Sequence, residues 1–263
     1  MMPEPSVLQR DTGAAACRNV IAVASGKGGV GKTWFAITLS HALAARGRRT
    51  LLFDGDLGLA NVDIQLGLMP KLDIGGVMAG RATLKQSVTR YRDGGFDIIA
   101  GHSGCGGLAG LPLARIEALR DDLAMLASDY DNLVIDLGAG IDRPVRTLMA
   151  RSGTTLVLTT SEPTALTDAY AFIKVTAAER AQADIRVVVN MARSAGEGES
   201  TYAAILKACE HFLKISPPLA GVVCHDSKVA DAIRNQTPLL SRHPNSDAAA
   251  DVEAIAERLG HAP

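Results

Sequence analysis

The sequence predicts a three-layer α/β fold, a doubly wound and mostly parallel sheet with helices on both faces, and three observations predict it. Short apolar runs recur along the chain, longer stretches of helical character separate them, and 263 residues at 47% hydrophobic content suffice for one large core. The expected organisation is a flexible amino-terminal arm over 1–19, polar and without period, followed by a single domain over 20–263.

The first apolar run, 20–24, is short, rich in Val and Ile, and reads as a strand buried on both faces. Runs at 50–54, 96–100, 133–136, 155–159, 185–189 and 219–224 have the same character. Helices are expected near 32–46, 111–128, 143–150, 163–180 and 200–213, with 227–235 and 248–259 completing the unit. No repeat or low-complexity tract interrupts this alternation.

A formal net charge of -1 offers no global attraction to a phosphate backbone, so DNA binding is not expected. No apolar run approaches the roughly 20 residues of a membrane-spanning helix, and 1–19 has no signal-type apolar core, so a cytoplasmic location is expected. Cys17, Cys105, Cys209 and Cys224 form no CxxC pair, which argues against a disulfide framework or a zinc site; Cys209 and Cys224 are expected to be buried thiols.

The chemistry concentrates in Gly26-Lys27-Gly28-Gly29-Val30-Gly31-Lys32-Thr33, which satisfies the G-x-x-x-x-G-K-[ST] spacing of a P-loop NTPase. It follows an apolar strand and precedes a helix expected to be amphipathic. There the glycines let backbone N–H groups converge on phosphate oxygens, Lys32 reaches the terminal phosphates, and the Thr33 hydroxyl can ligate Mg2+. Lys27 is a second cation in the same loop, and phosphates already served by Lys32 would not hold it. It is suited to a further nucleotide.

The form Lys-Gly-Gly-Val-Gly-Lys-Thr resembles the deviant Walker A ATPases, the superfamily of MinD, ParA and the nitrogenase iron protein. The resemblance implies an ATP-dependent sandwich homodimer in which Lys27 crosses to the partner's phosphates. The run ending in Asp54-Gly55-Asp56 leaves two carboxylates at the carboxyl end of a parallel strand, where ligand crevices open in such sheets. The resemblance assigns the attacking water to Asp56, while Asp54 either supports the loop and the waters of Mg2+ or, as a strand-end carboxylate, caps the next turn. Asp136 ends an apolar strand in the Walker B manner and is a candidate Mg2+ ligand. Gly138 and Gly140 follow it and suit a switch that senses the γ-phosphate. Asn190 ends another apolar run and, by resemblance, reads the adenine edge. Asp226 either lies against the base or, with Ser227, caps the next helix.

The resemblance covers nearly the whole chain and is greatest to the FlhG (FleN) branch of MinD-like proteins, through Asp54 to Asp63, Gly101 to Leu111, Ser161 to Lys174, Asn235 to Pro238 and His243 to Ser246. It implies a regulator of flagellar number and placement, partnered by a flagellar GTPase of the FlhF kind or a transcriptional regulator, and recruited to a pole or membrane through such partners. A ParA- or MinD-type positioning or partition ATPase is the alternative. The carboxyl-terminal helix carries Asp251, Glu253 and Glu257 against Arg258, so direct membrane binding through it is not expected; its Val252, Ile255, Ala256 and Leu259 stripe should pack on the domain. An iron–sulfur reading through Cys105 lacks a second cysteine near Asp136, and a biosynthetic ligase of the same fold would lack Lys27.

Overall fold

A strand that is apolar on both faces can lie only in the interior of a sheet, and the first strand, β1 (Cys17–Ala24), is enclosed on both sides from Val20 onward. The computed structural model describes residues 16–101 and 110–260. β1 pairs in parallel with β5 (Asn132–Leu137) on one side and β6 (Ser152–Thr159) on the other. Outward from β5 lie β2 (Thr50–Gly55), β4 (Phe96–Ile99) and the short β3 (Thr89–Tyr91); outward from β6 lie β7 (Asp184–Ala192) and β8 (Leu219–Cys224). The order is β3-β4-β2-β5-β1-β6-β7-β8, parallel except for β3 against β4.

The helices divide between the two faces. α4 (Leu113–Leu126), α5 (Arg143–Met149), α6 (Pro163–Glu179) and α7 (Ala195–Ala208) bury Leu119, Leu148, Phe172 and Ile205 on one side. α1 (Lys32–Ala45), α8 (Ser227–Arg234), α9 (Leu239–Arg242) and α10 (Asp247–Gly260) bury Phe35, Ala232, Leu239 and Val252 on the other. The strand and helix alternation therefore produced the three layers that it predicts.

Several boundaries differ from the sequence reading, each for a local reason. β1 begins at Cys17, whose amide donates to the Arg151 carbonyl, so the first three residues of the strand fall within the segment expected to be an arm. The rest of that arm and Cys105 lie outside the described residues. β3, α2 (Val62–Leu66), α3 (Ile74–Met78) and α9 are too short to show a period. α7 starts at Ala195 rather than 200 because Ser194 caps it, accepting from the Glu197 amide; Gly196 and Gly198 conceal this start in the sequence. Cys224 is half-buried rather than buried.

α1 is not amphipathic as expected. Trp34, Phe35, Ala36, Ile37, Leu39, Ala42 and Leu43 are all buried, because α10 covers the side that would otherwise face water. Val252, Ile255 and Ala256 of α10 supply that cover, and Arg46 Nη2 donates to the Glu253 carbonyl at the end of α1. The apolar stripe of the last helix is thus packed on the domain. Among the described residues no helix is long and apolar enough to cross a membrane.

Phe172, on the inner face of α6, is fully enclosed. Truncation by Phe172→Ala should lower unfolding free energy by roughly 3–5 kcal/mol, measured by urea titration with unchanged far-ultraviolet dichroism in the folded baseline.

Candidate functional site

The loop Gly26 to Thr33 joins the carboxyl end of β1 to α1, so the central strand delivers it to the edge where the other strands also end. Two of its glycines are required by their neighbours. A Cβ on Gly26 would stand 2.2 Å from the Asp168 carbonyl oxygen of α6, and one on Gly31 would stand 2.5 Å from Asn190 Nδ2. Gly31 also has φ +88°, a left-handed conformation that glycine adopts without strain, and its carbonyl accepts from Phe35 to begin α1. Gly29, by contrast, has open space before it, and a Cβ on Gly28 would meet only the Ala139 Cβ at 3.9 Å, which leaves room for an anion. Val30 is buried beneath the loop.

Lys32 is nearly enclosed. Burial lowers the pKa of its ammonium, while the charges of Asp136 and Asp56 hold it up. Asp54 and Asp136 stand side by side as register partners on β2 and β5, both buried. Burial pushes Asp136 up to about 8, with the Asp54 charge adding to the rise and the Thr33 hydroxyl and Lys32 opposing it. One of its oxygens, Oδ1, is buried without a hydrogen-bond partner. Burial likewise raises Asp54 to about 6, against the amides of Val62, Asp56 and Asn61, which donate to its two oxygens at 3.0–3.2 Å.

Those three bonds wrap the segment after β2 around Asp54 and leave Asp56 facing Gly138, whose added Cβ would lie 3.5 Å from Asp56 Oδ1. Gly58 and Leu59 donate to the same oxygen of Asp56. Lys32, Thr33, Asp54, Asp56 and Asp136 are therefore one cluster.

Lys27 turns elsewhere. Its Nζ lies 2.6 Å from Glu162 Oε2 and 2.8 Å from Thr164 Oγ1, both at the start of α6. Sequence reading missed these two partners; they lie 135 and 137 positions away, and no local pattern connects them to the loop. Asn190 is buried at a bulge near the end of β7 and donates from Nδ2 to the Val30 carbonyl at 2.8 Å, so it braces the loop from behind. Asp226 takes the capping alternative: its side chain accepts from the Lys228 amide at the start of α8.

The donor set suits a nucleotide and Mg2+. A cradle free of Cβ atoms lies beside an enclosed ammonium, and a buried carboxylate oxygen without a partner sits beside a threonine hydroxyl. Residues 21–239 match the CobQ/CobB/MinD/ParA nucleotide-binding domain. The chain belongs to this family. Membership makes it an ATP-binding, ATP-hydrolysing protein. It is 37% identical to the antiactivator FleN of Pseudomonas aeruginosa over 240 residues, covering 91% of this chain and 85% of FleN. It is 30% identical to the flagellum site-determining protein YlxH of Helicobacter pylori, with 91% and 81% covered. In fold it is similar to the septum site-determining protein MinD of Pyrococcus horikoshii in complex with Mg-ADP (TM-score 0.79, 24% identity, 92% and 96% covered).

The raised carboxylates of this family member give a pH dependence of definite sign. An acid whose folded pKa lies above its unfolded value of 3.8 adds stability below that value and loses it as pH rises through the folded pKa, here about 6 for Asp54 and about 8 for Asp136. Without nucleotide and Mg2+, the melting temperature of wild type should fall relative to Asp136→Asn between about pH 4 and pH 8. A constant difference across that range would show that Asp136 does not titrate there.

Proposed function

We propose that this chain is a switch ATPase that dimerises around bound ATP and regulates flagellar number and placement through protein partners. The observation that carries the dimer is the direction of Lys27. Its ammonium lies against Glu162 and Thr164, although it belongs to the phosphate loop. A lysine that its own loop does not use is available to the phosphates of a second protomer. Similarity to FleN and YlxH supports the flagellar role, and an activator or an FlhF-like GTPase is the class of partner.

In this reading the backbone from Gly28 to Thr33 holds the phosphates and Lys32 supplies a fixed positive charge where negative charge develops. Thr33 and Asp136 would hold Mg2+, with Asp54 behind them, and the ion when bound would supply positive charge against the phosphates. Asp56 sits at the mouth of the cluster against Gly138 and orients the attacking water. Asn190 keeps the loop in shape, and a further contact from Asn190 or Asp226 to the base is part of the proposal. The amino-terminal arm is proposed as a separate element preceding one ATPase domain. The fold similarity to MinD favours a second reading, a positioning ATPase of the division or partition kind, which would use the same site.

Size-exclusion chromatography with light scattering in saturating ATP should show a dimer for Asp56→Ala and a monomer for Lys27→Ala. A monomer for Asp56→Ala would overturn the mechanism. Because a half-exposed ion pair contributes at most about 1 kcal/mol, Glu162→Gln should lower the ATP concentration needed for dimerisation by roughly two- to fivefold. Deleting the gene and counting flagella per cell decides between the flagellar and partition readings.

A further inference from the structure

Behind the phosphate loop lies a small, partly open cavity lined by Trp34 and Thr38 of α1, Gln65 and Leu66 of α2, Ala232 and Ile233 of α8, and the turn into α9 at Thr237. Its volume, about 10 Å3, matches the space that one water molecule needs. Two of the groups that line it are incomplete. Trp34 Nε1, a donor, and Gln65 Oε1, an acceptor, are both buried and without a hydrogen-bond partner, so they do not bond to each other. Trp34 itself is 7% exposed.

We propose that this cavity is a structural water site, occupied by one molecule that accepts from Trp34 Nε1 and donates to Gln65 Oε1. An indole N–H can only donate and an amide oxygen can only accept, so the pair requires a bridging group with both capacities. Water is the smallest such group. Its second proton finds Thr38 Oγ1, which lines the same space and whose own proton is donated to the Trp34 carbonyl. A water with three partners is typical of buried sites.

The position gives the site its interest. Trp34 is the residue after Thr33, and Gln65 lies on the helix that follows the loop bearing Asp56. The turn after α8 is fastened to the same helix, where Gln236 Nε2 donates to the Ile64 carbonyl at 2.8 Å. The water therefore connects the helix that carries the phosphate loop to the segment that carries Asp56. Such a joint is polar and can shift by exchanging hydrogen bonds, whereas interlocked apolar side chains would resist displacement.

The test uses the chain's single tryptophan, which gives one indole N–H signal. In the full-length 15N-labelled protein, that signal should show a cross-relaxation peak to water with the sign of a long-lived, bound molecule. Gln65→Met, which removes the acceptor and keeps the length, should abolish the peak; Thr38→Val should retain it, excluding relay through the hydroxyl. Should Gln65→Met not fold, a crystal structure of the wild type that resolves solvent decides alone, with one density peak within hydrogen-bond distance of both atoms. An empty cavity, a direct bond between Trp34 and Gln65, or a peak unchanged in Gln65→Met would overturn the proposal.

Discussion

The site depends on how closely one loop can approach its neighbours. Gly26 lies against the backbone of α6 and Gly31 against the amide of Asn190, at separations that a single methyl group would violate. Because β1 is the central strand, the loop is fixed at the sheet's carboxyl edge, and α6 and β7 close on it from two sides. That closeness orders the rest. It drives Lys32 into the interior beside Asp136, and it leaves Lys27 at the rim, within reach of Glu162.

Burial gives the carboxylates their character. Asp54 spends its oxygens on three amides of the following segment, which is how the chain turns after β2 and how Asp56 is presented. Asp136 has no comparable support, and its buried oxygen lacks a partner. A buried carboxylate oxygen without a partner is costly, and it suits a place where a cation is to be accommodated. Two adjacent aspartates of similar exposure thus differ in kind: one maintains architecture, and the other keeps an oxygen that suits the proposed ion.

Much of this was legible in the sequence. Strands buried on both faces declare themselves through apolar runs, and the octet from Gly26 to Thr33 fixes its own position between strand and helix. Asp54, Asp56 and Asp136 could be picked out because they end such runs. What was not legible involves distance along the chain. Nothing near Lys27 names Glu162, and the short elements α2, α3 and β3 owe their existence to packing rather than to propensity. α1 has no polar face because α10, far away in sequence, covers it. That the Asn190 amide also braces the loop, donating to the Val30 carbonyl behind which β7 ends, was likewise out of reach of local pattern.

The cover of α1 by α10 bears on how the chain is made. The helix that carries the phosphate loop is synthesised well before the helix that buries its outer side, to which it is joined by a contact spanning 207 positions. Until α10 has been synthesised, Trp34, Ile37 and their neighbours lack part of their enclosure, and a nascent chain with a complete loop sequence has an incomplete core around it. Contacts of such range are closed late and slow the search for the native state. Nucleotide binding and protection from proteolysis should therefore arise together once α10 has been synthesised, and fragments ending before α10 would be clients for chaperones.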